Sequence, residues 1–191
     1  GEPRFGYEYA RTGNPTRHAY EQCVASLEGA THGFAFASGL AAEDVLLRHL
    51  EPGDHLLLGD DAYGGTFRLI DKVHARAGLA SSAVDLTDPE SIRHAWTPST
   101  RMVWFETPTN PLLTVIDIEQ VCSVVHELGG LTVVDNTFAT PYLQQPIGLG
   151  ADAVVHSATK YLGGHSDMVG GVVATSHEAI AEHVGFVQNA V

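Results

Sequence analysis

The chain has 191 residues, of which 44% are hydrophobic and 17% are charged, a composition typical of a globular protein with one sizeable core. Its 23 acidic residues against 10 basic ones give a net charge of −13, which argues against a broad nucleic-acid or membrane surface. Cys23 and Cys122 form no closely spaced pair, so neither a disulfide framework nor a metal site is expected. Without a membrane-length apolar run or a signal-peptide pattern, we expect a cytoplasmic protein.

The first segment, residues 5–16, reads FGYEYARTGNPT and lacks a helical period, so it is predicted to be a loop. Pro15 suits the first turn of a helix, and the amphipathic pattern after it predicts a helix that ends near Gly29. Tyr9 and Arg11 stand at alternate positions of the loop, so both side chains can point the same way. The residues alone favour local hydrogen bonds for both.

A short apolar strand at residues 32–37 runs into Ser38, Gly39 and Leu40, which open a helix that stops at Pro52. Where a strand turns through small residues into a helix, the first backbone N–H groups of the helix are free. Together with the helix dipole, these groups favour the binding of an anion. The turn therefore predicts a phosphate site, although many such turns contain Ser-Gly for steric reasons alone.

Strands and helices then alternate, which is the pattern of a mainly parallel sheet. Strands are predicted at residues 55–58, 81–86, 101–106, 131–135, 153–157 and 171–175, and helices at 66–77, 89–96 and 118–128. Together with the strand at 32–37, the sheet is expected to have seven strands.

Several polar or aromatic residues follow the ends of these strands. Tyr63 precedes two glycines that leave room for a flat molecule, or it is a turn aromatic packed on the core. Arg68 lies in the next helix, where it can pair with Asp71 in solvent. In the segment ETPTNP, two prolines stiffen a loop and fix Asn110 at a strand end as an amide donor; the alternative is a rigid loop without a ligand.

Two charged residues complete this edge of the predicted sheet. Asp135 ends a strand, where a carboxylate is costly unless a cation such as a pyridinium nitrogen compensates it; a capping or metal role is the alternative. Lys160 follows the strand at 153–157 and is flanked by Ser157 and Thr159. Since open α/β sheets bind ligands at their strand ends, this lysine can meet a ligand with an aldehyde and a phosphate, or it is a surface lysine.

The segment SATKYLGGHSD around Lys160 resembles the Schiff-base segment of the Cys/Met-metabolism family of pyridoxal phosphate (PLP) enzymes, which includes cystathionine γ-synthase, cystathionine γ-lyase and methionine γ-lyase. The segments YxRxGNPT, SGxxA, ETPTNP and VDNTFxTP are similar to further motifs of this family and occur in the same order. The resemblance implies the large domain of a fold-type I PLP enzyme, an α/β domain with a mostly parallel seven-stranded sheet flanked by helices. Chains of the family are about twice as long, so it also implies that the carboxyl-terminal domain is absent here.

The resemblance implies catalytic roles for three residues. Lys160 forms a Schiff base with PLP and moves the Cα proton, Asp135 keeps the ring nitrogen protonated, and Tyr63 stacks on the ring and acts as a general acid. The other cofactor contacts that it implies within the subunit are Ser38, Gly39, Leu40, Asn110, Ser157 and Thr159.

Assembly and substrate residues are implied in the same way. Tyr9 and Arg11 resemble family residues that reach the cofactor phosphate of a neighbouring subunit. Residues 1–16 would then contact that subunit and residues 17–191 would form the PLP domain of a homo-oligomer, a dimer of active sites within a tetramer. Arg68 resembles the arginine of cystathionine enzymes that meets the distal carboxylate of the substrate. Gly65 stands where methionine γ-lyases carry a cysteine, which favours cystathionine chemistry.

The expected activity is PLP-dependent transsulfuration chemistry on a small amino-acid substrate. It comprises γ-elimination or γ-replacement on sulfur-containing or O-acyl-homoserine amino acids. The alternatives are a β-eliminating C–S lyase, a homoserine-ester sulfhydrylase, or a non-catalytic fragment of such an enzyme.

Overall fold

A computed structural model describes residues 6–191 and has seven strands in one sheet. The strands are β1 (His32–Phe36), β2 (His55–Gly59), β3 (Ala80–Val84), β4 (Thr100–Glu106), β5 (Leu131–Asp135), β6 (Ala153–Ser157) and β7 (Gly171–Thr175). Their order in the sheet is β1-β7-β6-β5-β4-β2-β3. β7 is antiparallel to its neighbours β1 and β6, and the other pairings are parallel. The predicted α/β class and mostly parallel sheet are therefore confirmed.

Helices pack on both faces of this sheet. They are α1 (Pro15–Glu28), α2 (Gly39–Leu47), α3 (Gly64–Arg68), α4 (Pro89–Ala95), α5 (Ile118–Glu127), α6 (Thr140–Leu143) and α7 (Glu178–Ala190). α3 continues through a π-helical turn (Leu69–Val73) and a 3-10 turn (His74–Ala77), so the helix predicted at residues 66–77 is present but changes its pitch. A further 3-10 turn lies at Pro146–Leu149.

The start of α1 differs slightly from the predicted loop boundary. Asn14 caps the helix, because its side chain accepts hydrogen bonds from the N–H groups of Thr16 (3.0 Å) and Arg17 (3.1 Å). Pro15 is the first helical residue, as expected, so the last two residues of the predicted loop belong to α1. Residues 1–5 of the predicted contact loop lie outside the described residues.

Two other elements depart from the sequence prediction. β3 ends two residues earlier than predicted because the Asp85 carboxylate accepts a hydrogen bond from the Thr87 N–H (2.9 Å) and turns the chain. α7 was not predicted, although its buried residues Ile180, Val184 and Val187 follow the spacing of an amphipathic helix.

Two hydrophobic cores hold the helices against the sheet. On one face, Val133 and Val155 belong to a buried cluster with residues of α2 and α7. On the other face, Phe105 and Val134 belong to a cluster with residues of α4 and α5. Because successive side chains of a strand point to opposite faces, the residue that ends each central strand and the residue after it face different sides of the sheet.

Among residues 6–191, none of the helices combines the length and hydropathy that a membrane crossing requires. Within the same part of the chain, no group of three or more His, Cys, Asp or Glu side chains is arranged to hold a metal ion.

Candidate active site

Three neighbouring strands end in polar side chains at one edge of the sheet. β4 ends in Glu106, β5 in Asp135 and β6 in Ser157. Glu106 and Asp135 are direct partners in the parallel register, so their side chains share one face on strands about 5 Å apart. Val155 pairs with Asp135, and Ser157 lies two residues further along β6 on the same face.

The N-terminus of α2 approaches this edge. Ser38 caps the helix, because its hydroxyl accepts a hydrogen bond from the Ala41 N–H (3.1 Å). A Cβ on Gly39 would lie 2.8 Å from the Cβ of Ser157, so only glycine lets α2 come this close to β6. The first N–H groups of a helix have no partner within it, and here they lie beside Ser157, where an anion can accept from them.

A cavity of about 490 Å³ opens between these elements. The residues that line it include nine of the twelve predicted site residues: Ser38, Gly39, Leu40, Tyr63, Asn110, Asp135, Ser157, Thr159 and Lys160. One cavity therefore brings together the predicted phosphate turn, the lysine and the carboxylate, which lie far apart in the sequence.

Lys160 lies in the turn that follows β6, and its side chain is exposed. Its N–H donates to the carbonyl of Ser157 (3.1 Å), and its own carbonyl accepts from the Gly164 N–H (3.0 Å). The Gly170 N–H donates to the hydroxyl of Thr159 (3.1 Å). These bonds fix the backbone around Lys160 while its long side chain stays free to move, which suits an amine that forms and releases a covalent bond.

Glu106 contacts one predicted site residue on the other side of the cavity. Its Oε1 accepts a hydrogen bond from the Asn110 N–H (3.3 Å). A Cβ on Gly65 would overlap the Tyr63 ring, so this ring position requires glycine at 65. No chemical role for Glu106 is predicted from the sequence, and the structure shows that its carboxylate holds the start of the Asn110 loop.

Asp135 is almost fully buried and is held by its neighbours. The Thr137 N–H donates to its Oδ1 (2.9 Å), and the Ser157 N–H donates to the Thr137 hydroxyl (2.8 Å). Burial raises the pKa of the Asp135 carboxyl, while hydrogen bonds from Thr137 and the charge of His156 lower it. A cation beside this carboxylate would favour its ionised form and so oppose the effect of burial. A pyridinium nitrogen is such a cation, and a neighbouring carboxylate keeps it protonated.

Glu43 is a third carboxyl group in the same cavity. It is 4% exposed, and its Oε2 has no hydrogen-bond partner among the described residues. Burial raises the pKa of Glu43 to about 8, helped by the charge of Asp135 and opposed by a hydrogen bond to Thr66. Burial likewise raises the pKa of Glu106 to about 8, again with Asp135 as the next cause. Glu43 and Glu106 therefore hold their protons to a higher pH than ordinary glutamates do.

Three predicted residues do not line this cavity. Tyr9 is 59% exposed, and the guanidinium of Arg11 lies 5.4 Å from the centre of its ring. Arg11 also donates to the carbonyl of Asn189 (2.5 Å). Arg68 is exposed at the end of α3. The predicted alternative of an Arg68–Asp71 pair is wrong, because Asp71 pairs with Lys72 (2.6 Å).

Sequence reasoning missed Glu43, Thr137 and Phe138, which also line the cavity. A signal for Glu43 exists, since it lies four residues after Gly39 and therefore on the same face of the helix. Thr137 lies two residues after Asp135, a spacing at which an aspartate side chain often accepts a hydrogen bond from the backbone N–H. This spacing is a weaker indication that Thr137 belongs to the site.

The raised pKa of Glu43 predicts a pH-dependent stability for the PLP-free protein. Because the folded-state pKa lies above the ordinary value of 4.5, the protonated carboxyl stabilises the fold at acid pH. That contribution is lost as the pH rises from about 4.5 through about 8. We expect Glu43→Gln to raise the free energy of unfolding at pH 8 by on the order of 2 kcal/mol and to change it little at pH 4.

Urea unfolding of the two proteins at both pH values measures this difference. Glu182→Gln is the control, because Glu182 is an exposed carboxylate on α7 and should leave the pH profile unchanged. A Glu43→Gln variant that is less stable than the wild type at pH 8 would contradict the assignment.

Comparison with known proteins agrees with this site. A model of the family described as "Cys/Met metabolism PLP-dependent enzyme" matches residues 1–191. A cystathionine beta-lyase of Lactococcus lactis subsp. cremoris is 55% identical over 100% of this chain and 50% of its own length. A probable cystathionine gamma-synthase of Herpetosiphon aurantiacus is 54% identical, over 97% of this chain and 58% of its own.

A solved structure supports the same relationship. The crystal structure of cystathionine gamma-lyase from Lactobacillus plantarum complexed with L-serine is 49% identical, with a TM-score of 0.95 over 98% of this chain and 49% of that one. The chain thus spans about half the length of most of these relatives. The family match over every residue nevertheless settles its membership: the chain belongs to the Cys/Met metabolism PLP-dependent enzyme family.

Proposed function

We propose that the protein to which this chain belongs is a PLP-dependent transsulfuration-type enzyme that acts on sulfur-containing or O-acyl-homoserine amino acids by γ-elimination or γ-replacement. The observation that carries the proposal is the cavity where Lys160, Asp135 and the N-terminus of α2 converge, in a chain of this family. Its polar groups suit the three polar parts of PLP: amide N–H groups that donate to the phosphate, an amine that reacts with the aldehyde and a carboxylate that accepts from the protonated ring nitrogen.

The chain's own residues would divide the work as follows. When bound, PLP supplies an electron sink for the negative charge that forms at the substrate Cα. Asp135 keeps that sink effective by holding the ring nitrogen protonated. The amine of Lys160 anchors the aldehyde and, once released, takes the Cα proton.

The remaining cavity residues would bind the cofactor and help the leaving group depart. The first N–H groups of α2, with Ser157 and Thr159, hold the phosphate. Asn110 donates its side-chain amide to the ring substituents. The Tyr63 phenol lines the cavity and is available to protonate the leaving group.

A second candidate is β-elimination of a C–S bond. The observation that favours it is the 55% identity, over the whole chain, to a protein named cystathionine beta-lyase. The described residues do not separate the two reactions, because relatives named beta-lyase, gamma-synthase and gamma-lyase all align with nearly all of this chain. Product analysis with cystathionine, methionine and O-acyl-homoserine decides between them.

The substrate contact and the cellular location belong to the same proposal. Arg68 is exposed and has no carboxylate partner among the described residues, so it is free to meet the distal carboxylate of a substrate. Cys23 and Cys122 are both free thiols, which suits a reducing cytoplasm.

The direct test is borohydride reduction of the PLP-bound protein followed by peptide mapping. We expect the label on Lys160 and none on Lys72, the only other lysine of the chain. Lys160→Ala should abolish turnover while PLP still binds through its phosphate, and Lys72→Ala should behave as the wild type. A full-length protein that binds no PLP, or a Lys160→Ala variant with substantial turnover, would refute the proposal.

The proposed role of Tyr63 can be tested through the glycine beneath its ring. Gly65→Ala places a methyl group where the ring lies and must displace the phenol, so we expect a roughly hundredfold loss of kcat/KM, the contribution of a general acid. Gly148→Ala is the control, because its Cβ would meet nothing within 4 Å and Gly148 does not line the cavity. Equal activities of the two variants would show that the ring position does not matter.

We further propose that Tyr9 and Arg11 serve the site of a neighbouring subunit, since neither lines the cavity of its own chain. Each active site of the homo-oligomer would then need two chains. Mixing an Arg11→Ala variant with a Lys160→Ala variant should restore activity, because a hybrid dimer contains one site with both residues intact. No recovery after proven subunit exchange would show that the loop does not complete a neighbour's site.

A further inference from the structure

A fully buried polar network lies on the opposite face of the sheet from the cavity. Glu28, the last residue of α1, is 0% exposed. Its Oε1 accepts a hydrogen bond from the side-chain amide of Asn136 (2.8 Å) and is also hydrogen-bonded to Nε2 of His156. One carboxylate oxygen therefore holds residues of β6 and of the segment after β5.

The two partners of Glu28 are chain neighbours of site residues. Asn136 follows Asp135, and His156 precedes Ser157. Because adjacent residues in extended chain point to opposite faces, Asp135 and Ser157 face the cavity while Asn136 and His156 face Glu28. A shift of either partner toward or away from Glu28 therefore moves the backbone that carries the site residue.

Gln144 extends the network to the third strand end. Its amide donates to the carbonyl of Thr107 (2.9 Å) and to Oδ1 of Asn136 (2.9 Å). Thr107 directly follows Glu106 at the end of β4. Glu28 and Gln144 thus connect the ends of β4, β5 and β6 by hydrogen bonds on the face of the sheet opposite the cavity.

Stability alone does not account for this network. Oε2 of Glu28 and Nδ1 of His156 are buried and have no hydrogen-bond partner among the described residues. A buried polar network that is only partly satisfied is less stable than a well-packed apolar core, and apolar replacements of buried ion pairs often stabilise proteins.

We propose that Glu28 is a positioning residue for Asp135: through its hydrogen bonds with Asn136 and His156 it fixes the backbone behind Asp135 and so the direction of the Asp135 carboxylate. This inference rests on the proposed function, because it assigns Asp135 to the ring nitrogen of PLP. Glu28 touches neither the cavity nor the cofactor and acts only through its two partners.

The test compares the affinity of the full-length apo-protein for PLP with its affinity for N1-deaza-PLP, in which a C–H group replaces the ring nitrogen. Only PLP can use the charge of Asp135, so the wild type should prefer PLP. We expect Glu28→Gln, which keeps the side-chain shape but removes the charge, to weaken PLP binding about tenfold, as loss of a supporting partner commonly does. Binding of the deaza analogue should change little, so the preference for PLP should fall by nearly the same factor.

Glu21→Gln is the matched control. Glu21 is also a buried carboxylate of α1, but it accepts from the Ala35 N–H (2.9 Å) and the Gln188 amide (2.8 Å), away from the strand ends. This variant should keep the preference for PLP, whatever its effect on the melting temperature.

Each outcome is decisive. A wild type that binds neither compound refutes the proposed function itself. A wild type that prefers PLP, with a Glu28→Gln variant that weakens both compounds equally or neither, overturns the inference and leaves Glu28 a purely structural role. If Glu28→Gln fails to fold, Asn136→Ala, which removes one of the two contacts through which Glu28 acts, carries the same prediction with a smaller change in the ratio, and an unchanged ratio there overturns the inference.

Discussion

Buried negative charge at the ends of the central strands is the constraint on which this site depends. The parallel register sets Glu106 beside Asp135, and α2 contributes Glu43, which lines the same cavity. Of the described residues that line the cavity, Lys160 is the only one with a cationic side chain. Burial, and after it the charge of Asp135, raises the pKa of both Glu43 and Glu106, so these two carboxyl groups hold their protons to a higher pH than ordinary glutamates do. Burial also raises the pKa of Asp135, and a protonated ring nitrogen beside it would favour its ionised form.

Close backbone approach is the second physical requirement. Gly39 lets α2 reach β6, which brings the free N–H groups of the helix next to Ser157, and Gly65 leaves space for the Tyr63 ring. In both places a Cβ would collide with a residue that lines the cavity. Together with the network behind the strands, these contacts hold the site residues around the exposed side chain of Lys160.

The sequence predicted the central strands closely because β5 and β6 are continuous apolar runs that end in polar residues. For the same reason the sequence alone places Asp135 and Lys160 at strand ends. Glu43 was missed because its burial comes from tertiary packing of α2 on the sheet, which local patterns do not show. The partners of Glu28 lie 108 and 128 residues away along the chain, so no local pattern could have linked them. Tyr9 and Arg11 remain predictions, since their proposed partner belongs to another chain.

The proposed chemistry depends most on Asp135 keeping a bound ring nitrogen protonated. The measurement that tests this most directly is the ¹⁵N chemical shift of PLP labelled at the ring nitrogen and bound to the full-length protein. We expect a pyridinium shift in the wild type and a shift towards neutral pyridine in Asp135→Asn, with PLP still bound in both. A neutral-pyridine shift in the wild-type protein, or a pyridinium shift that survives Asp135→Asn unchanged, would contradict the role of Asp135.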